Sequence, residues 1–263
     1  MNFLKRFIKQ NSHSILLKPL AGFGRSINRL YENRNHDAYS NGENRVLQKL
    51  QFTQPKIIFD VGANIGQYAE MAHAACPNAR IFSFEPVSST YDLLSKNLAS
   101  NNQVECIQKG LFKESKKISI HIYPGNEHSS LHDIKGVAYD VVKKEEIETI
   151  TGDQFIAEKG IEKIDLLKLD VEGAEMDALV GFASALSNKQ IRLAQFEYGY
   201  INITSKILLA DYYDFFEKYG YIIGKIYPKT VEFKKYEHKH EDFIGPNFLA
   251  VHKDDVELIR LLQ

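Results

Sequence analysis

Short apolar runs alternate with longer helical segments along the chain from residue 56 onward. The runs are nearly continuous in hydrophobic residues, and most of the segments between them carry apolar residues at helical spacing. This alternation is typical of parallel strands that are covered by helices on both faces. The predicted strands are 57–61, 80–84, 104–108, 164–169 and 191–196, and the predicted helices are 67–75, 88–99, 174–186 and 205–219.

The alternation changes at two places. Runs 221–225 and 247–252 have only a loop between them, which predicts that the sheet ends in an antiparallel hairpin. Residues 112–150 follow the third strand and contain two stretches of strand character around a polar loop. An insertion at this point would lie beside the carboxyl edge of the sheet, where open α/β sheets bind ligands. The pattern predicts an α/β fold, a Rossmann-like three-layer sandwich with a mostly parallel sheet.

The first part of the chain lies outside this pattern. Residues 1–50 are predicted to form an N-terminal helical appendage, and residues 51–263 one domain that includes the insertion. Residues 1–30 carry six Lys and Arg residues and no acid, with apolar residues at helical spacing near the start. Packing on the domain or on a second subunit is the more common role of such a helix. Peripheral contact with an anionic membrane is the alternative.

Composition narrows the class of protein. The 263 residues hold 33 Lys and Arg against 34 Asp and Glu, so no overall field favours a nucleic-acid partner. Two cysteines are too few for a disulfide framework or a cysteine zinc site, which fits a cytoplasmic location. No apolar run approaches the roughly 20 residues that span a bilayer. The composition, with 44% hydrophobic and 25% charged residues, is typical of an ordinary globular protein.

A glycine turn follows the first predicted strand. The strand ends in Asp60, and Gly62 and Gly66 lead into the first helix. Glycines are needed where the backbone approaches a ligand closely or takes a positive φ, and the helix offers its free N–H groups. The spacing differs from the dinucleotide fingerprint and from the phosphate-binding Walker loop. It disfavours a nicotinamide dehydrogenase, although a generic strand–turn–helix remains an alternative.

An acid ends the second predicted strand, about 20 residues after the glycine turn. Glu85 is followed by Pro86, which sets the direction of the turn. In Rossmann-type sites an acid at this position accepts hydrogen bonds from the ribose hydroxyls of a nucleotide cofactor. Glu85 is therefore a predicted ribose ligand.

A second acidic cluster follows the fourth predicted strand. Asp170 and Glu172 emerge at its carboxyl end, and Glu175 begins the next helix, where an acid complements the helix dipole. Lys168 lies late in the same buried strand and needs a charged partner, which Asp170, Glu172 or Glu197 can supply. An acidic cluster that only caps the helix is the alternative.

Together these three segments resemble the FkbM family of methyltransferases. The likeness is carried by residues 59–66, 84–86 and 167–175, and the last segment, Lys-Leu-Asp-Val-Glu-Gly-Ala-Glu from Lys168, is the most distinctive. It extends over residues 56–252. The resemblance implies a class I methyltransferase fold and S-adenosylmethionine as cofactor. The predicted cofactor-binding residues are Asp60, Gly62, Ala63, Asn64, Gly66, Glu85, Pro86, Gly110, Leu111 and Asp170.

The same resemblance implies O-methylation of a hydroxyl on a sugar or a glycan or glycolipid precursor. Tyr198 and Tyr200, after the fifth strand, are candidates for stacking on a sugar ring. One alternative is a methyltransferase of a small metabolite or natural product. Another is a module of the same fold that binds the cofactor without catalysis.

Methyl transfer to a hydroxyl requires a base close to the acceptor oxygen. The predicted catalytic residues are Asp170, Glu172 and His128, with Glu197 and His132 as further candidates. No metal ligand is assigned in this prediction. The alternative is that Asp170 and Glu172 hold a divalent ion that binds vicinal hydroxyls of the acceptor.

Overall fold

An eight-stranded sheet forms the centre of the chain, and helices cover both of its faces. The computed structural model describes residues 2–123, 129–134, 141 and 143–263. The strands are β1 Ile57–Val61, β2 Arg80–Phe84, β3 Val104–Ile107, β4 Gly110–Leu111, β5 Lys117–Ile122, β6 Ser129–Ser130, β7 Lys143–Ile150, β8 Leu166–Leu169, β9 Leu193–Glu197, β10 Tyr221–Tyr227, β11 Thr230–Phe233 and β12 Asn247–His252. The helices are α1 Asn2–Gln10, α2 Lys18–Tyr31, α3 Glu43–Gln51, α4 Gln67–Ala75, α5 Ser88–Asn97, α6 Gly152–Lys159, α7 Glu175–Val180, α8 Ala183–Ser187, α9 Ile201–Ser205, α10 Leu209–Lys218 and α11 Val256–Leu262.

The strand order of this sheet is β11-β10-β12-β9-β8-β1-β2-β3. Strands β3, β2, β1, β8 and β9 run parallel, and β12 pairs antiparallel with both β9 and β10. The predicted α/β fold with a mostly parallel sheet is therefore confirmed. The chain leaves β1 toward β2 on one side and returns to β8 on the other. Ligands of open α/β sheets bind at the carboxyl ends of strands at such a switch point.

The end of the sheet contains one strand more than the sequence predicts. Strands β10 and β12 are antiparallel as predicted, with Tyr221 opposite His252. Strand β11 forms a hairpin with β10 and lies at the outer edge. Its burial alternates and only Val231 is buried, so it lacks the continuous apolar run by which the other strands are recognised.

Two apolar cores lie on opposite faces of the sheet, because side chains alternate along each strand. On one face Phe59 and Val61 pack with residues of α6, α7, α8 and α10. On the other face Ile58 packs with residues of α3, α4, α5 and α11. The three layers of the predicted sandwich follow from this division.

The three N-terminal helices differ in how they meet the rest of the chain. In α3, Val46, Leu47 and Leu50 are fully buried within the second core. Residues 3–31, which include α1 and α2, are all exposed or half-buried. The domain boundary at residue 50 stays a prediction. Within the described residues, no helix combines the length and hydropathy that crossing a bilayer requires.

The segment after β3 forms a small second sheet with the order β4-β7-β5-β6. Strands β5 and β7 pair antiparallel, with Ile118 opposite Ile147. Ile120, Ile122 and Ile147 form a small buried cluster with Val87, which follows β2. The second sheet therefore packs beside the carboxyl end of β2.

Candidate active site

The glycine turn after β1 is pressed against the ends of both neighbouring strands. The backbone N–H groups of Gly62 and Ala63 donate to the carbonyl oxygen of Phe84, at 3.0 and 2.9 Å. Gly62 has a φ of 78°, and a Cβ atom there would lie 1.8 Å from the carbonyl oxygen of Asp170. Only glycine fits this position, because any side chain would push β1 and β8 apart.

Glu85 is held in place by the same turn. The N–H of Asn64 donates to one oxygen of its carboxylate at 3.2 Å, and the N–H of Val87 donates to the other at 3.0 Å. Glu85 is 5% exposed, and burial raises its pKa to about 7 although both amide bonds oppose the rise. Its remaining acceptor capacity faces the cavity that Glu85 lines.

A cavity of about 490 Å³ opens at the carboxyl ends of β1, β2 and β8. The predicted residues that line it are Gly62, Asn64, Glu85, Pro86, Gly110, Leu111, Asp170, Glu172, Glu197, Tyr198 and Tyr200. Ile118, Ile120 and Ile147 of the second sheet add an apolar wall. The volume is in the range of small-molecule and cofactor sites.

Three of the predicted cofactor ligands do not line this cavity: Asp60, Ala63 and Gly66. Asp60 is fully buried and points to the face of the sheet that α3 and α4 cover. At Gly66 a Cβ atom would meet Leu94 of α5 and Leu98, directly after α5, at 3.0–3.1 Å. Gly66 therefore allows close packing of two helices, and direct cofactor contact by these three residues stays a prediction.

A buried polar row connects the sheet to the N-terminal segment. Asp60, Lys168 and Gln195 are register partners on β1, β8 and β9. Lys168 Nζ lies 3.5 Å from Asp60 Oδ1, and Gln195 donates to Glu43 at 2.6 Å. Asn247 donates to the other oxygen of Glu43 at 2.8 Å. Each buried charge thus has a polar neighbour, as burial in an apolar core requires.

The loop after β8 is shaped by Glu175. This residue is fully buried at the start of α7, and its carboxylate accepts the N–H groups of Val171 and Gly173 at 3.0 and 3.2 Å. Glu172 takes a φ of 51° between them. Burial raises the pKa of Glu175 to about 7 although these amides oppose the rise. The bonds fix the backbone that carries Asp170 and Glu172 into the cavity.

The cavity is also lined by two residues that the sequence did not indicate and by Glu197, which it indicated as a candidate base. Arg34 and His36, in the loop after α2, both line it. Glu197, at the end of β9, is half-buried, and burial and the charges of Asp170 and Glu172 raise its pKa above its ordinary value. No spacing in the sequence joins Arg34 or His36 to the strand ends, which lie far along the chain.

The two tyrosines after β9 have different environments. Tyr200 is 46% exposed and lines the cavity, so its ring is accessible to an acceptor. Tyr198 is fully buried, its hydroxyl donates to Glu241 at 2.5 Å, and its ring packs on Phe243. Tyr198 also lines the cavity but exposes no side-chain surface, so stacking of Tyr198 on a sugar ring stays a prediction.

The family profile described as "Methyltransferase FkbM domain" matches residues 60–223, from the end of β1 into β10. This segment is more than half of the chain. The chain belongs to the FkbM methyltransferase family. The glycine turn, Glu85 and the loop after β8 all lie within the matched segment, whereas Arg34 and His36 precede it. The resemblance stated from the three sequence segments is confirmed.

Several curated proteins are similar to this FkbM family member. Methyltransferase sdnD of Sordaria araneosa is 31% identical, with 47% of this chain and 59% of that protein covered. Hexuronic acid methyltransferase AglP of Haloferax volcanii is 28% identical, with 60% and 64% covered. The 2-O-methyltransferase NoeI of Sinorhizobium fredii is 25% identical, with 54% and 63% covered. The chain thus spans less than two thirds of each of these relatives.

Two predictions about catalysis in this FkbM family member concern His128 and a divalent metal ion. His128 lies outside the described residues, so its catalytic role stays a prediction. Among the described residues, no group of three or more His, Cys, Asp or Glu side chains can hold a metal ion. The alternative of a divalent ion on Asp170 and Glu172 therefore has no support in this part of the chain.

Proposed function

We propose that the chain is an S-adenosylmethionine-dependent O-methyltransferase that acts on a hydroxyl of a sugar or of a glycan or glycolipid precursor. The observation that carries this proposal is the convergence of Gly62, Glu85 and Asp170 on one cavity in a member of the FkbM family. The cavity lies at the switch point of the sheet, where this fold class binds its ligands.

The residues present fit the cofactor. Asn64 Oδ1 is buried at the cavity and has no hydrogen-bond partner among the described residues, so it is available to a donor on a ligand. Glu85 suits a pair of ribose hydroxyls, and the wall with Ile118 and Ile120 suits an adenine ring. Gly62 lines the cavity with backbone atoms alone, which suits the amino acid part of the cofactor. When bound, S-adenosylmethionine supplies a methyl group activated by its sulfonium.

The acceptor's proton needs a base at the cavity. Glu197 lines the cavity, and burial and the nearby carboxylates raise its pKa, which makes its carboxylate a stronger base. Asp170 also lines the cavity and is paired with Lys168 at 3.2 Å. We assign proton removal to Glu197 and orientation of the acceptor hydroxyl to Asp170 and Glu172.

The acceptor side suits a polyhydroxyl ligand. Tyr200 offers an aromatic face, while Arg34, His36 and Glu172 offer donors and acceptors on the same side of the cavity. Sugars are commonly held by an aromatic face and charged hydrogen-bonding groups together. Two relatives, the hexuronic acid methyltransferase AglP and the 2-O-methyltransferase NoeI, support a sugar hydroxyl as acceptor.

The test uses the full chain and two ligands. Isothermal titration with S-adenosylhomocysteine is expected to show micromolar binding, and titration with NAD none. If NAD binds and S-adenosylhomocysteine does not, the assignment of the cofactor is wrong. Transfer of labelled methyl from S-adenosylmethionine is then measured on uronic acids, nucleotide sugars and glycolipids. Binding without transfer to any hydroxyl compound would favour a non-catalytic module, and transfer only to non-sugar metabolites would favour the small-molecule alternative.

A further inference from the structure

The first two helices expose a large apolar surface. The side chains of Phe3, Leu16 and Phe23 are 83%, 82% and 65% exposed. The other exposed apolar residues of this segment are Leu4, Phe7, Ile8, Ile15, Leu20, Ile27, Leu30 and Tyr31. Contiguous apolar surface on this scale is rare on a monomer and marks a site of contact with a protein or a membrane.

The cations of the segment lie on the opposite face of each helix. In α2, Leu20, Phe23, Ile27 and Leu30 recur three or four residues apart and form one stripe. The basic residues of α2 are spaced by seven and four residues and fall on the other side of the helix. In α1, Phe3, Leu4, Phe7 and Ile8 are likewise separated from its cations. The cations of both helices are Lys5, Arg6, Lys9, Lys18, Arg25 and Arg29.

Charge identifies the occupant of this surface. Residues 1–31 hold these six cations and no acid, although acids slightly outnumber Lys and Arg over the whole chain. Residues 1–31 of a second copy offer no acid to pair with these cations, whereas an anionic bilayer offers negatively charged headgroups. A helix with Phe and Leu on one face and Lys and Arg on the other binds in the interface of a bilayer that contains anionic lipid.

The segment is tied to the body of the chain just after α2. Glu32 accepts a hydrogen bond from Lys225 at 2.9 Å, and Asn33 donates to the carbonyl oxygen of Ile226 at 3.0 Å. Arg34, which lines the cavity, is the third residue after Tyr31, the last residue of α2. Three residues span at most about 10 Å. Docking of α2 therefore brings the rim of the cavity close to the surface on which α2 lies.

We propose that α1 and α2 dock on an anionic lipid bilayer, with their apolar faces between the headgroups and the acyl chains. In this position the rim of the cavity lies close to acceptors that are held at the membrane surface. Docking itself does not depend on the proposed methyl transfer, because it is measured without cofactor or acceptor.

The experiment is flotation of the full chain with vesicles. Vesicles of phosphatidylcholine with phosphatidylglycerol are expected to carry the wild type, and vesicles of phosphatidylcholine alone are expected to carry at least about tenfold less. Added salt is expected to reduce the bound fraction, since surface charges are screened. If the wild type stays at the bottom of the gradient while the anionic vesicles float, the proposal is overturned.

Two double variants test the two faces separately. Phe23→Ser with Ile27→Ser removes apolar contact, and Arg25→Glu with Arg29→Glu reverses charge; each is expected to lower flotation at least about tenfold. The first has a control in Phe52→Ser, an exposed apolar residue after α3. The second has a control in Lys144→Glu with Lys253→Glu, two exposed cations elsewhere. Flotation of the helix variants like the wild type would overturn the proposal.

Light scattering addresses the other occupants. The double variant Phe23→Ser with Ile27→Ser is expected to have the same molar mass in solution as the wild type. A dimer that this variant converts to monomer, in a protein that does not float, would assign the surface to a second copy and overturn membrane docking. Unchanged unfolding midpoints of both double variants would show that the losses arise at the surface, as the exposure of these side chains predicts.

Discussion

The Nζ atom of Lys168 lies 3.2 Å from Oδ2 of Asp170, which is two residues later and directly follows β8. The same ammonium lies 3.5 Å from Asp60 on the neighbouring strand. Burial opposes a charged lysine, but the carboxylates of Asp170, Asp60 and Glu43 raise the pKa of Lys168 above its ordinary value. Lys168 thus stays protonated and joins the interior of the sheet to a carboxylate that lines the cavity.

Loss of this ammonium is expected to destabilise the fold strongly. Lys168→Met leaves the fully buried Asp60 without a countercharge, and breaking a buried pair from one side costs about 3–5 kcal/mol in the free energy of unfolding. Urea denaturation at neutral pH measures this cost. Burial raises the pKa of Asp60, so the cost should shrink at acidic pH, where that carboxyl is protonated. Lys253→Met, at an exposed site, is the control, and an equal effect of both would refute this role of Lys168.

A variant of Gly62 tests the glycine turn, and the same change at Gly160, outside the turn, is its matched control. Both have positive φ, 78° and 62°, but a Cβ atom at Gly62 meets backbone at 1.8 Å. At Gly160 no heavy atom of the described residues lies within 4 Å of such a Cβ. Gly160→Ala is expected to cost about 1–2 kcal/mol of stability from its φ alone. Gly62→Ala adds the clash, about 1–3 kcal/mol more.

Chemical denaturation of both variants gives the difference directly. Titration of Gly62→Ala with S-adenosylhomocysteine should show weakened binding, because the turn must move away from Asp170. Gly160→Ala, at the end of α6, should bind like the wild type. Equal losses of stability in the two variants would contradict this prediction, because the clash with the Asp170 carbonyl would then add no cost.

The sequence predicted the elements whose signals are local. Strands β1, β2, β8 and β9 are mostly apolar runs, and each ends in, or is followed by, a glycine or an acid. Gly62, Glu85 and Asp170 reach one cavity because parallel strands bring their carboxyl ends to the same edge. The order of strands and helices in the sequence is therefore enough to predict that these three residues lie close together.

What the sequence did not predict depends on packing between distant segments. Asp60, near the end of β1, lies beside Lys168 on the face that α3 and α4 cover, so its predicted contact with the cofactor stays a prediction. Arg34 reaches the cavity because Asn33 binds the backbone of β10, nearly 200 residues later in the chain. Tyr198 is buried by the segment that contributes Glu241. None of these contacts leaves a periodic signal in the sequence.

The affinity for cofactor is expected to depend on pH through Glu85. Burial raises its pKa to about 7, and the ionised carboxylate is the stronger acceptor for ribose hydroxyls. If the ionised form binds, the affinity for S-adenosylhomocysteine falls by about tenfold as pH drops from 8 to 6. Glu85→Gln should bind about tenfold more weakly at pH 8 and lose this pH dependence. Titration calorimetry across this range decides, and a wild-type affinity that is flat with pH would contradict the assignment of Glu85.

Glu197 is expected to determine the rate of methyl transfer without affecting cofactor binding. Glu197→Gln keeps the shape of the side chain but removes the base, so kcat should fall at least about 100-fold. Affinity for S-adenosylhomocysteine should stay within about twofold, because no cofactor contact is assigned to Glu197. Since its pKa is raised, the wild-type rate should fall on the acidic side as Glu197 becomes protonated, and the variant should lack this limb.

Two further variants separate Glu197 from its neighbours. Asp170→Asn is also expected to lose turnover while retaining cofactor affinity, but its residual activity should keep the acidic limb that Glu197 causes. Glu217→Gln, at an exposed position on α10, is the matched control and should have wild-type kcat. A near-normal kcat in Glu197→Gln, together with loss of the acidic limb in Asp170→Asn, would transfer the role of base to Asp170. That result would leave the cofactor site intact, because Gly62 and Glu85 line the cavity independently of which carboxylate removes the proton.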